Sequence, residues 1–463
     1  MTQTAAVIRH CEITPEALSP LDGPSCETTK AAEALNLKRA LLSSFVGATL
    51  EWYDFFLYGA VAGLVFGRLY FPGFEPVVAT ILSYATFAVG YVGRAFGGIV
   101  FGHFGDKLGR KKMLILTLWI MGIGTTAIGC VPTAAQIGIW APILLILCRL
   151  LQGIGLGGEW GGAILMSVES APRHKRAFYG TLPQVGLAVG LLLASGVIGF
   201  LSIFLSEEAF MTWGWRSAFI SSFVLLFVGN YIRNKVSETK DFAEVKAKNA
   251  EVKSPLMLAF KRYPKMMVAC MGARCIDGVA FAVFSVYSLS FLTTHGMPRS
   301  TALMVVTVAS LFMGICMPLW GLLADKVGKT TIFGINSFIL AGASFFAFWI
   351  FRYHADSFIL AVLALGLTFG VIYSGIFGIM SSMFADSFEP SIRYSAMSFV
   401  YQVSGIPTAG CAPMLATFLV AANGGDPWYL CWFICGIGIM SGLCTVWMTR
   451  LKNSGYCDSY TVQ

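Results

Sequence analysis

Apolar residues run along this chain in long blocks rather than in alternation with polar ones. From about residue 39 to residue 449, apolar stretches of roughly 18 to 25 residues recur, each long enough to cross a hydrocarbon core about 30 Å thick as a helix. Twelve are counted, at 39–67, 78–103, 113–131, 140–168, 178–205, 214–232, 266–293, 301–323, 331–351, 356–385, 394–421 and 427–449. Strand-like alternation is absent, which argues against a transmembrane barrel, and helices satisfy their own backbone groups in lipid. The pattern therefore predicts an all-α integral membrane protein.

Composition agrees. Of 463 residues, 56% are hydrophobic and only 12% charged, too few charges to coat a soluble globule of this size. The net charge of +8 invites a nucleic-acid reading, but its placement does not. Lys107, Arg110, Lys111, Lys112, Arg173, Lys175, Arg176, the linker lysines, Lys326, Lys329, Arg450 and Lys452 all fall on one side once loops are assigned alternately. The other side offers little beyond Arg68, Arg299 and Arg352. That is the positive-inside asymmetry, and it puts both termini in the cytoplasm of a multi-pass cell (inner or plasma) membrane protein. The twelve cysteines fall mostly inside apolar spans, where they act as small hydrophobes; Cys431 and Cys435 share a helix face without a His or acid to complete a metal site. No metal or cofactor is expected.

The spans divide six and six about a charged stretch. Expected boundaries are a disordered cytoplasmic tail at 1–36, a first bundle at 37–232, a cytoplasmic linker at 233–265, a second bundle at 266–450 and a short tail at 451–463. The halves also repeat. "GHFGDKLGRKK" from Gly102 recurs as "GLLADKVGKTT" from Gly321, so Asp106 corresponds to Asp325 and Gly109 to Gly328. Glu169 and Arg176 find Asp386 and Arg393 at a nearly constant offset. Parallel six-helix repeats are a transporter design, with the substrate site near the membrane midplane where the halves meet. The repeated loop suits a latch: its glycines turn tightly, its acid can accept from a neighbouring helix N-terminus, and its basic residues stay in water. Gly102, Asp106, Gly109, Arg110, Glu169, Arg176, Asp325, Asp386 and Arg393 are the candidate gating residues.

Span 4 holds a decoy. Gly153, Gly155 and Gly158 spell GxGxxG, yet a dinucleotide fold needs a strand before the motif and a turn at it. Inside an apolar span, the pairs Gly153/Gly157 and Gly158/Gly162 instead give a face on which a neighbouring helix can pack closely. Glu159 is then an acid at membrane depth, where ionisable groups cost roughly 2.5 to 3.5 kcal/mol and mark function. Arg149 lies ten residues earlier, too far for contact along the helix, so each needs a partner elsewhere.

Span 1 adds Glu51 and Asp54, one turn apart with Tyr58 beyond; span 7 adds Arg274 and Asp277 at the same spacing. On a two-fold model these pairs occupy equivalent helices across a cavity. Arg94 adds a cation whose fork suits a substrate carboxylate, or a structural tie to Asp54 or Glu159. Gln184, Tyr401 and Gln402 sit at cavity depth, as substrate contacts or interhelical hydrogen bonds. The aromatic run Trp52, Tyr53, Phe55 and Phe56 reads as packing or lipid face.

Several of these stretches carry a resemblance. "GDKLGRKK" at 105–112 and "RLLQG" at 149–153, which places Arg149 among the gating candidates, resemble signature motifs of the major facilitator superfamily. "EWYDFFLYG" at 51–59, "GGEWGG" at 157–162 and "WGWRSAF" at 213–219 are similar to its metabolite:proton symporter family, most of all the shikimate-permease-like branch. The chain departs at Arg94-Ala95, where the family has Arg-Pro, at Ala48-Thr49, and at Lys329. The resemblance implies the twelve-helix major facilitator fold, no enzymatic activity, protons and a small organic acid as partners, and a monomer in the lipid bilayer. Relatives in that family also move dicarboxylates, citrate, proline and betaines.

The expected function is proton-coupled symport of a small organic acid, such as shikimate or a di/tricarboxylate, by rocker-switch alternating access. Uptake of a zwitterion of the proline or betaine type, or drug:proton antiport, are the alternatives; against the latter, span 5 reads "PQVGLAVGLLLASG" without an exporter's Gly-Pro pattern. Coupling needs an acid that loads a proton outside and releases it inside, for which Glu159 and the neighbouring pair Glu51/Asp54 are candidates. A proton moving down about 100 mV and one pH unit supplies roughly 3.7 kcal/mol, enough for a few hundredfold accumulation of a neutral solute. An enzyme is disfavoured, because His10, His103, His174, His295 and His354 are scattered and form no triad or HExxH motif.

Overall fold

In the computed structural model, residues 26–108, 110–157, 167–168, 171–234, 255–389 and 392–454 are described. Twelve long helices follow one another among the described residues. Helix α1 is Cys26–Val61, continuing through a wide turn at Ala62–Phe66 to Gly67–Tyr70. Then come α2 (Pro76–Leu108), α3 (Arg110–Cys130), α4 (Trp140–Gly157, its described part), α5 (Arg176–Phe204) and α6 (Trp215–Asn234, entered through Glu207–Ala209 and Phe210–Gly214). The second half holds α7 (Pro264–Thr294), α8 (Arg299–Val327), α9 (Lys329–Tyr353), α10 (Phe358–Ala385), α11 (Arg393–Ala422) and α12 (Trp428–Asn453). Helix α1 starts upstream of the expected boundary at 37, and a short helix, Pro255–Arg262, occupies part of the expected linker.

Among the described residues, ten of the helices are long and apolar enough to cross a membrane. Large apolar side chains such as Phe96, Ile99, Leu147, Phe200, Ile315 and Trp432 stand more than half exposed along them, as a lipid-facing belt requires. Helix α7 differs: 89% of its most apolar window is buried, which makes it a lining element of the interior rather than of the belt. Helices α1 and α7 also share a wide, π-type turn, at Ala62–Phe66 and Val283–Tyr287, so the repeat seen in the loops extends to a local irregularity.

The glycine motif of span 4 is helical up to Gly157, with no strand before it. Its glycines let α2 and α4 touch backbone to backbone. A Cβ on Gly153 would lie 2.2 Å from the Gly90 carbonyl oxygen, one on Gly157 2.1 Å from that of Arg94, and one on Gly97 2.0 Å from that of Ile154. Gly97→Val is therefore expected to cost at least about 1–3 kcal/mol through overpacking. Gly196→Val, where a Cβ meets nothing within 4 Å, is expected to melt like the parent in detergent. Equal melting of the two variants would contradict this packing.

The halves meet along a seam formed by α1 with α7, α2 with α11, and α5 with α8 and α10. Ser195 of α5 bonds Thr307 of α8 at 2.8 Å, and Ser381 of α10 donates to the Gly180 carbonyl of α5 at 3.4 Å. Away from the basic loops, Arg299 of α8 pairs with Glu207, which also holds Arg68 at 3.6 Å.

Candidate functional site

Two ion pairs lie buried at the seam, one from each half. Arg94 Nη2 of α2 is 3.5 Å from Glu51 Oε1 of α1. Arg274 Nη1 is 3.4 Å from Asp277 Oδ2 on the same helix, and the Tyr373 hydroxyl donates to Asp277 Oδ1 at 2.9 Å. All four charged residues are at most 4% exposed, so neither pair faces lipid. Both guanidinium groups reach the same ring: Arg274 Cζ is 4.2 Å from the Tyr401 centroid and Arg94 Cζ 5.9 Å. Cations over aromatic faces are stabilised where water is excluded.

The aromatic run of α1 is packing, and it packs across the seam. Trp52 meets Phe281 of α7 at 5.4 Å and Phe377 of α10 at 6.0 Å, and Phe56 meets Phe281 at 5.3 Å. Arg94 Cζ lies 5.4 Å from both Trp52 and Phe55. The result is a buried wall of aromatic rings beside two cations.

Asp54 behaves differently from Glu51. One turn further along α1, it turns into the first bundle, where Thr125 of α3 donates to its Oδ2 at 3.0 Å. Gln152 of α4 donates to Thr125 Oγ1 at 2.8 Å and accepts from Arg149. Arg149 is fully buried against Tyr58, 4.1 Å from its ring centroid, and no carboxylate among the described residues lies within ion-pair reach. Helical spacing put Glu51 and Asp54 on one side of α1, and each takes a different partner there. Arg149 sits inside the bundle, its side chain held by α1, α2 and α4 rather than by the loop latch.

The described residues of the candidate latch lie at the basic end. Asp325 of α8 accepts from the backbone N–H groups of Ala177 and Phe178 at 2.9 and 3.0 Å, capping the first turn of α5 across the seam. Gly328, with φ of 111°, ends α8 in a backbone region that suits glycine and starts α9. Asp386 binds Lys329 at 2.6 Å within the second half, and Arg393 Nε donates to the Phe388 carbonyl at 3.2 Å. Arg176 opens α5, half-buried. Losing the cap in Asp325→Ala is expected to cost about 1 kcal/mol, on the order of a fivefold shift away from the state closed at this end. A cysteine placed at Ser382 should then react about fivefold faster with an impermeant maleimide than in the parent carrying the same cysteine. An unchanged rate would mean that the cap does not hold the halves together.

Gln184 of α5 donates to the Phe377 carbonyl of α10 at 3.2 Å, and Gln402 of α11 to the Gly157 carbonyl of α4 at 3.2 Å. Both are bonds between halves. Glu159, Gly109 and Glu169 lie outside the described residues. Gly102, Asp106 and Arg110 fall on helical backbone of α2 and α3, and nothing more of them is described. Thr125, Gln152, Tyr91, Phe281 and Tyr373 were not singled out in the sequence. Each is an ordinary residue in an apolar span until its partner is known.

Two six-helix halves, with the Arg94–Glu51 and Arg274–Asp277 pairs buried where they touch, have the architecture of a multi-pass membrane transporter. The sequence matches the Major Facilitator Superfamily over residues 44–382 and 270–455, and the chain belongs to that family. It is 36% identical over 417 residues to the shikimate transporter of Escherichia coli (strain K12), covering 89% of this chain and 94% of that one. It is 38% identical over 387 residues to the inner membrane metabolite transport protein YhjE of the same strain, covering 82% and 87%. Its fold resembles a partially occluded, inward-open structure of the xylose transporter XylE from E. coli, with a TM-score of 0.70 at 17% identity over 89% of this chain and 97% of that one.

Proposed function

We propose that the chain is a proton-coupled importer of a small organic acid of the shikimate or di/tricarboxylate type. It works in the inner (plasma) membrane with both termini in the cytoplasm, by rocking of the two bundles about the seam. The observation that carries this reading is the placement of two buried guanidinium groups, Arg94 and Arg274, on opposite halves around one tyrosine, Tyr401. An anion bound between them would touch both moving bodies, as alternating access requires. The similarity to a shikimate transporter supports the substrate class, and the excess of lysine and arginine on alternate loops supports the orientation.

Of the acids the sequence offers, Glu51 stands at the seam beside the Arg94 guanidinium, where proton loading and substrate binding can communicate. Asp54 is engaged in the first bundle instead. The test is uptake of labelled shikimate, a dicarboxylate and an aromatic acid into proteoliposomes with an imposed inward proton gradient, with and without a protonophore. Accumulation of at least one acid above equilibrium, collapsing with the protonophore, is expected. Accumulation of none, or accumulation indifferent to the protonophore, rejects the reading.

A further inference from the structure

We infer that Arg68, Glu207 and Arg299 form the gate at the end opposite the basic loops, and that the two arginines act on it in opposite senses. Arg299 holds the halves shut through Glu207, and Arg68, competing for the same carboxylate, eases them apart. This rests on the rocking of the two bundles proposed above and adds the residues that set its balance at this end.

The first ground is which half each partner belongs to. Glu207 lies between α5 and α6, and Arg68 in the segment Gly67–Tyr70 that continues α1, so both are in the first half; Arg299 is the first residue of α8, in the second. The Arg299–Glu207 pair must therefore break when the bundles part at this end, whereas Arg68–Glu207, at 3.6 Å, can persist. Arg299 Cζ also lies 4.3 Å from the ring centroid of Phe210, a buried residue of the first half. Its grip on the opposite half is thus both ionic and aromatic. The second ground is placement. A cation is disfavoured at a helix N-terminus, yet α8 starts on Arg299, with no side chain capping it. Helix stability does not account for an arginine there; a carboxylate presented by the other half does. That carboxylate stands on a surface anchored within its own half: Ser206 Oγ accepts from the Ala209 N–H at 3.2 Å, and Tyr70, two residues beyond Arg68, donates to the Val131 carbonyl at 3.0 Å.

The third ground is sharing. The side chains of Arg68 and Glu207 are 74% and 59% exposed, so each contact is screened by water and weak alone, as suits a gate that opens in every cycle. Two guanidinium groups drawn to one carboxylate also repel each other. In the closed state that repulsion offsets part of the Arg299–Glu207 attraction. On opening it is relieved, while Glu207 keeps Arg68 and is not left unpaired. Removing Arg68 should therefore close the gate, and removing Arg299 or Glu207 should open it. A cluster that merely supported the fold would be loosened by all three changes.

The experiment uses the purified full-length protein in lipid nanodiscs, carrying one added thiol, Ser195→Cys or Ser382→Cys, with its reaction toward a hydrophilic maleimide read by mass at that position. Ser195 of α5 is buried and bonds Thr307 of α8, eight residues past Arg299, so it reports opening at this end; Ser382, also buried, reports the basic end. Glu207→Gln and Arg299→Gln should each raise the rate at position 195 about two- to fivefold and lower the rate at position 382. Arg68→Gln should do the reverse, by about twofold. Parental rates in Glu207→Gln, or a shift of position 195 in the same direction by both arginine variants, would overturn the inference. So would rates that rise together at both positions, which would mark loosened packing. Neither probe needs a solute, so a parent that accumulates no acid would overturn the substrate reading and leave this result standing. Undiminished uptake after cross-linking Gly180→Cys to Ser382→Cys would instead reject the rocking itself.

Discussion

Arg94→Ala is expected to lower uptake efficiency by on the order of a hundredfold or more. Its guanidinium is 1% exposed, lies over Trp52, Phe55, Tyr91 and Tyr401, and is the partner of Glu51. Removing one partner of a buried charge pair costs about 3–5 kcal/mol, because the other is left uncompensated, and about 3 kcal/mol is already a factor above one hundred in affinity. Initial uptake rates at low solute concentration, normalised to protein in the membrane, measure the loss. Arg94→Lys discriminates between roles: it keeps the charge and loses the fork, so it should rescue stability more than transport. Parental uptake by both variants would reduce Arg94 to a tie between α1 and α2.

The second large effect concerns the other buried cation. Arg149→Met should destabilise the folded protein by about 3 kcal/mol, because the relay from Arg149 through Gln152 and Thr125 to Asp54 loses its positive end inside the first bundle. If the two ends form one electrostatic unit, adding Asp54→Asn should recover part of that loss, with a coupling of about 1–3 kcal/mol. Thermal melts of the four proteins in detergent supply the cycle. Additive losses would mean that Arg149 and Asp54 are held independently. Gly90 belongs to the same arrangement: a Cβ there would lie 2.5 Å from Arg149 Nε, so the arginine can lie across α2 only where that residue is glycine.

Much of this architecture was legible in the sequence, and the reason is physical. Spans of apolar residues have one structural solution in lipid, so twelve helices, and the denial of a phosphate loop to the glycines of span 4, followed from length and context. The repeat of Asp106 by Asp325 drew attention to the acid that caps α5 of the opposite half. Spacing also gave the Arg274–Asp277 pair, whose partners share a helix. Partners on different helices were harder. Glu51 and Asp54 share a register, but which neighbour each meets depends on the rotation of α1 against α2, α3 and α4, and no local pattern encodes that. The same holds for Tyr373, Gln152 and Thr125. Nor does composition foretell the wide turns at Ala62–Phe66 and Val283–Tyr287.

Relative motion of the two bundles is open to a direct test at Gly180 and Ser382. A Cβ on Gly180 of α5 would lie 3.4 Å from that of Ser382 on α10, close to the separation a disulfide needs. In a Gly180→Cys, Ser382→Cys protein, oxidation should stop uptake in proportion to the fraction cross-linked, and reduction should restore it, while each single variant transports with or without oxidant. Full cross-linking with uptake undiminished would mean that solute crosses without the halves parting at this end.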